Sequence, residues 1–159
     1  MKKYEFTGET KEIRLLFRTA TLHRIRATVA FGIVEVGDLG GWIEKEENLS
    51  HEGKAWVWGD AEVCGDAKVW GDAEVFSASH VLVIGAIGSR NDFTTFYRDK
   101  DNEITVKCGC FLGKIDRFLE KVTQTHGDSK YALVYRAAVE VAKLQIDLSG
   151  EAPKDADEE

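Results

Sequence analysis

The residues with the most chemistry to offer cluster between positions 89 and 131. Ser89, Arg90, Asn91 and Asp92 form a polar run, Thr94 and Thr95 follow, and Cys110-Phe111-Leu112-Gly113 leads into an amphipathic stretch. A guanidinium fork beside backbone N–H groups at a glycine-led helix start suits a phosphate, because both aim several donors at one anion. Phe96, Tyr97, Phe111 and Tyr131 offer ring faces to a base, and His126 a donor to that base or to a ribose. The plain alternative is that Arg90 pairs with Asp92 and the aromatics are core.

Other constellations promise less. Cys108 and Cys110 are two soft ligands, but only Cys64 and scattered histidines remain to complete a zinc shell. No metal and no cofactor is expected. The recurrent Gly-Asp pairs follow a six-residue spacing, not the nonapeptide spacing that binds calcium, so turn chemistry explains them. No Ser/His/Asp or Cys/His arrangement stands at a recognisable spacing.

The elements that must position these residues are set by a repeat. Residues 55–78 read Ala-Trp-Val-Trp-Gly-Asp, Ala-Glu-Val-Cys-Gly-Asp, Ala-Lys-Val-Trp-Gly-Asp, Ala-Glu-Val-Phe-Ser-Ala. Val57, Val63, Val69, Val75 and Val81, then Ile87, keep the register, and Ile43 and Leu49 share it upstream after a two-residue slip, for about eight rungs in all. Ala and Val two apart point to one side of an extended stretch, and Gly-Asp bends the chain before the next. Three stretches per turn would make a prism in which residues eighteen apart stack: Val57 on Val75, Val63 on Val81, Val69 on Ile87. One outer face then shows Trp56, Trp58, Glu74 and Phe76, too apolar for water, so the C-terminal helices or another subunit must cover it. A second face shows Glu62, Cys64, His80 and Leu82.

An aliphatic residue followed four places later by a small one, as in Val57 with Ala61 or Val69 with Ala73, resembles the hexapeptide repeat of left-handed parallel β-helix proteins. The run Gly37-Asp-Leu-Gly-Gly-Trp-Ile-Glu-Lys-Glu-Glu-Asn-Leu-Ser, with the later blocks Gly88–Tyr97, Cys108–Gly113 and Thr125-His-Gly, is similar to phage- and prophage-encoded members of that group, mostly of unassigned function. The resemblance implies a left-handed β-helix and a homo-oligomer, with a trimer favoured and Trp56, Trp58 and Phe76 at the interface. Hexapeptide-repeat acyltransferases use a histidine as general base, which points here to His80 oriented by Glu62. The long extruded loop that often builds the acyl-donor site in those enzymes is missing.

Around the repeats, Glu12–Arg18 and Leu22–Val29 read as β-rich, Phe93–Tyr97 and Ile104–Cys108 as a hairpin about Asp99-Lys-Asp-Asn, and Ile115 onward as a helix closed by Gly127. A second helix from Ser129 is expected to bury Tyr131, Val134, Tyr135, Ala138, Val141, Ala142 and Ile146. The fold class is thus mainly β, divided into an N-terminal β cap (1–36), a hexapeptide-repeat β-helix (37–88), a hairpin with two helices (89–148) and a disordered acidic tail (149–159).

With 159 residues, a net charge of −7 and three cysteines, the chain fits one reduced, cytoplasmic domain without signal peptide or membrane span. Seven basic side chains against three acidic ones in residues 1–30 suit an anionic ligand or, more commonly, a solvated strand face. The leading expectation is a noncatalytic oligomer that sequesters a small anionic, nucleotide-like signal for a phage. An acyltransferase and a structural or protein-interaction module are the alternatives. Neither a membrane nor a nucleic acid is expected as partner.

Overall fold

The structure, a computed structural model, describes residues 2–149. Strand β1 (Tyr4–Arg14) pairs antiparallel with β2 (Thr19–Ala27), and β2 pairs antiparallel with β3 (Leu39–Ile43). Alternation puts Ala20 and Leu22 of β2 inside, and after the register shift near Arg24–Arg26 it puts Ile25 and Ala27 inside, while most of β1 faces water. The register of the β1–β2 pair shifts between Phe6 and Thr10, where Gly8 takes a φ of 95°. Gly40 in β3 allows close packing: a Cβ there would lie 2.7 Å from both Ile25 Cγ1 and Trp56 Cζ2.

The hexads form short strands, β4 (Trp56–Val57), β5 (Glu62–Val63) and β6 (Glu74–Val75). β4 and β6 pair in parallel at Trp56↔Glu74 and Val57↔Val75; β3 and β5 pair in parallel at Trp42↔Glu62 and Ile43↔Val63. Gly65 and Gly71 in the connecting turns have φ of 64° and 63°, a region costly for any residue with a Cβ, which is why Gly-Asp recurs. The repeat's small and branched side chains, Ala55, Val57, Ala61, Val63, Ala67, Val69, Ala73 and Val75, are buried with Ile43 and Leu49 in one core.

Downstream, β7 (Val81–Ile87), β8 (Asp92–Arg98), β9 (Ile104–Cys108) and β10 (Phe111–Lys114) make an antiparallel sheet in the order β10-β9-β8-β7. Helices α1 (Ile115–His126) and α2 (Lys130–Gln145) cover it, with Gly127 at a φ of 56° closing α1. Phe96, Val106, Phe118, Val122, Tyr135 and Val139 form this second core. The buried face of α2 is Ala132, Tyr135, Ala138, Val139 and Ala142, so Tyr131 and Val141, expected inside, face out.

The expected hexapeptide-repeat β-helix is therefore corrected. Among the described residues there are three separate sheets, one mixed, one antiparallel and one a parallel pair, with two C-terminal helices, not a closed left-handed solenoid. The departure is plainest at Val81 and Ile87. They were to stack on Val63 and Val69, but they pair antiparallel with Tyr97 and Asp92. The physical reason lies in punctuation: Val81-Leu82-Val83-Ile84 has no Gly-Asp after its second residue, so nothing bends the chain, and a seven-residue strand takes the neighbouring strand as partner. The acidic tail lies, from residue 150, outside the described residues. No described helix is long and apolar enough to cross a membrane.

Candidate functional site

The residues expected to hold a nucleotide are not gathered around one cleft. Ser89, Arg90 and Asn91 form the exposed turn between β7 and β8, closed by the Asn91 N–H donating to Gly88 O at 3.2 Å. Phe96 and Tyr97 are fully buried, one in each core, and have no ring face to offer. Thr94 is buried and donates to Cys108 Sγ at 3.3 Å, while Thr95 Oγ1 accepts the Lys68 N–H at 3.0 Å. Phe111 packs on Phe118, with ring centroids 5.4 Å apart. His126 lies between the rings of Tyr131 and Tyr135 at 5.7 and 5.8 Å.

The expected glycine-led helix start also differs. Gly113 belongs to β10, and α1 begins after Lys114, whose ammonium faces Asp99, Asp101 and Glu103 at 3.3, 2.8 and 3.6 Å. The helix entrance is thus occupied by a cation held among carboxylates, not by an anion cradle. Cys110 is exposed and Cys108 half-buried beside Thr94. Among the described residues no three His, Cys, Asp or Glu side chains converge on a common point for a metal ion.

The proposed acid–base pair is not assembled. His80 is buried, its Nδ1 accepts the Phe76 N–H at 3.1 Å, and burial, then the nearby Arg98 cation, pushes its pKa below the usual histidine value. Glu62 instead pairs with Lys11 at 2.6 Å. Much of the basic N-terminal segment is similarly absorbed: Lys2 meets Glu46, Arg26 meets Glu5, and Arg18 forks onto Glu44 at 2.6 and 2.9 Å. Lys3 is buried, donates to Ala55 O at 2.6 Å, and is pushed down to about 8 by that burial.

The aromatic face is covered by the chain's own N-terminal region, not by its C-terminal helices. Trp56 is buried against Tyr4 and Phe31 at ring distances of 6.3 and 5.2 Å, so it is not an exposed interface residue. Trp58, half-buried, packs edge-on against Phe76 at 4.9 Å. Beside Trp58 this cover leaves a cleft of 340 Å³. One wall is the tight turn Phe31-Gly-Ile-Val34, closed by reciprocal backbone hydrogen bonds of 2.9 and 2.8 Å, which presents Ile33 half-exposed at the lip.

Apart from Trp58, the rest of the lining is polar: Lys54, Asp72, Glu74 and Lys100. Lys100 is tied to Asp72 at 3.6 Å. Glu74 stands apart, because its Oε2 is buried and has no hydrogen-bond partner among the described residues. Burial raises the Glu74 pKa, and the carboxylates of Asp99, Asp101 and Asp72 raise it further against the opposing Arg98 cation. A buried acceptor left unmet costs about 1–3 kcal/mol, so a donor arriving from outside would recover that cost. An apolar floor beside one unmet carboxylate suits an apolar group that carries a positive donor, in a volume within the usual range for ligand sites.

Sequence reasoning placed Glu74 beside Trp56 and Trp58, and the strand register agrees. It missed Phe31 and Ile33, since a four-residue turn has no period to reveal its packing. The useful signal was a lone glutamate on an otherwise aromatic face.

No protein-family model matches the chain, and no curated protein matches it. The resemblance to phage hexapeptide-repeat proteins is overturned by the sheet arrangement, and the nucleotide-sponge and acyltransferase readings that depended on it lose their support.

Proposed function

We propose that this chain is a recognition module whose Trp58 cleft takes an apolar or aromatic group bearing a neighbouring cationic donor. The observation that carries the reading is Glu74 Oε2, buried without a partner among the described residues, in the lining of a cleft that also includes Phe31 and Trp58. The apolar group gains from leaving water, roughly 25 cal/mol for each Å² of apolar surface buried. The cation supplies the missing hydrogen bond and lowers the cost of ionising Glu74. Lys54, which makes no ion pair with a described residue, leaves room for a second, anionic group on the same ligand.

Phenethylammonium is the minimal probe, and its neutral counterpart 2-phenylethanol is the control. Calorimetric titration is expected to show the ammonium binding at the cleft and the alcohol binding about tenfold or more weakly, the usual worth of one charge-assisted hydrogen bond. Glu74→Gln keeps the shape and removes the charge, so it should bring the two probes close together. Equal binding of both probes to the native chain, or no effect of Glu74→Gln, defeats the reading.

A further inference from the structure

The hairpin of β1 and β2 ends in a feature that nothing among the described residues explains. Leu15 N donates to Arg18 O at 2.7 Å to close the turn, and Leu16 and Phe17 between them are 87% and 94% exposed. An apolar pair at the tip of a strand ladder contributes nothing to the fold from there. It gains only by entering another surface. The stem is firmly held, since Arg18 forks onto Glu44, and Glu44 also accepts the Gly65 N–H at 2.7 Å.

Two further side chains of the same tip are unspent. Glu12 and Arg14, two residues apart in β1, share one strand face, are exposed, and make no ion pair with any described residue. The cleft presents the opposite pattern: Glu74 and Lys54, neither of which makes an ion pair with a described residue, beside Trp58 and the exposed Ile33. Apolar meets apolar, and each charge of the tip finds its opposite on the cleft wall.

The two features cannot meet within one molecule. Lys3, just before β1, lies over the Phe31 ring at 4.8 Å, so the cleft sits at the foot of the hairpin. From there β1 runs eleven residues to Arg14, roughly 30 Å at strand rise. Tip and cleft are at opposite ends of a stiff spacer.

We propose that the cleft's occupant is the Leu16-Phe17 tip of a second copy of this chain, with Arg14 donating to Glu74 and Glu12 meeting Lys54. The proposal rests on the recognition reading above and names its ligand. Because two different surfaces meet, the contact is heterologous, and successive copies close into a ring or continue as a chain.

Sedimentation and light scattering test it. The native chain is expected to form assemblies larger than its 17.7 kDa protomer. The double variant Leu16→Asp/Phe17→Asp loses the tip, and Ile33→Asp spoils the cleft; both sites are exposed, so each variant should fold and run as a monomer. Mixed together, the two should give a 1:1 dimer, because one intact tip and one intact cleft remain. A native chain that stays monomeric at its highest soluble concentration, assemblies that survive either variant, or a mixture that remains monomeric would overturn self-docking. Phenethylammonium titrated into the tip variant separates the two claims. Binding there with no self-assembly of the native chain leaves the cleft reading standing and removes only its occupant, whereas absence of binding removes the cleft reading.

Discussion

Two hairpins of this chain end in opposite ways. The tip between β8 and β9 is polar and fully occupied: Asp99, almost entirely buried, accepts the Asp101 and Glu103 N–H groups at 2.9 and 3.1 Å and the Thr105 hydroxyl at 2.6 Å. It is docked as well, with the Lys100 N–H donating to Asp72 O at 3.1 Å. The tip between β1 and β2 is apolar and touches almost nothing. Local turn chemistry accounts for the first; only an outside surface accounts for the second. The contrast separates residues that hold the fold from residues that the fold holds out.

The largest effect that tests this contrast is expected at the occupied tip. Asp99→Ala removes a buried acceptor shared by the Asp101 and Glu103 N–H groups, the buried Thr105 hydroxyl and the Lys114 ammonium, and should cost about 3 kcal/mol in urea unfolding. A loss below about 0.5 kcal/mol would mean that the two tips do not differ in the way described.

Next comes the foot of the exposed hairpin. The Arg18 fork, aided by the Gly65 N–H, holds the Glu44 carboxyl down at about 2 against the opposing pull of burial. A depressed carboxylate adds stability above the unfolded value of 4.5 that is lost as pH falls toward about 2. Arg18→Gln should therefore flatten the fall in melting temperature across that acid window. Unchanged acid sensitivity would show that the fork does not anchor the hairpin.

Glu74 should slope the other way. Its raised pKa means the folded chain keeps a proton that the unfolded chain has released, so stability falls as pH climbs through the window just above 4.5. Glu74→Gln removes that decline, and phenethylammonium binding to the native chain should strengthen over the same interval. The groups facing this carboxyl, Asp72, Asp99, Asp101 and Arg98, stay in place in the variant. Binding that is independent of pH there would separate Glu74 from the cleft's affinity.

The smallest effect is the most diagnostic. Leu16→Asp/Phe17→Asp should leave monomer stability within about 0.5 kcal/mol, measured in urea at a concentration too low for assembly. A substantial loss would mean that the tip serves the fold after all.

The C-terminal half was readable because its signals are local. Residues from Ile115 repeat at helical spacing up to a glycine that can adopt positive φ, and Phe93–Tyr97 with Ile104–Cys108 flank a turn rich in Asp and Asn. Both readings correspond to observed elements. The face of α2 was misplaced by about one position, because Tyr131 and Val141 are apolar enough to count yet stand outside the buried arc. The pocket around Arg90 failed for a related reason: Phe96 and Tyr97 read equally well as core or as stacking surface, and only packing distinguishes them.

Within the hexads, residue type alone settled which side chains go inward, since Ala and Val two apart share a face whatever their strand pairs with. It also settled where the chain bends, because Gly-Asp tolerates the positive φ that other residues resist. Which strand each segment pairs with was decided only in three dimensions. Backbone hydrogen bonds carry no residue code, so Val81–Ile87 could satisfy them against β8 as well as against an earlier hexad. The cleft belongs to the same class, for Phe31 and Glu74 meet across forty-odd residues and no spacing in the chain announces that they will.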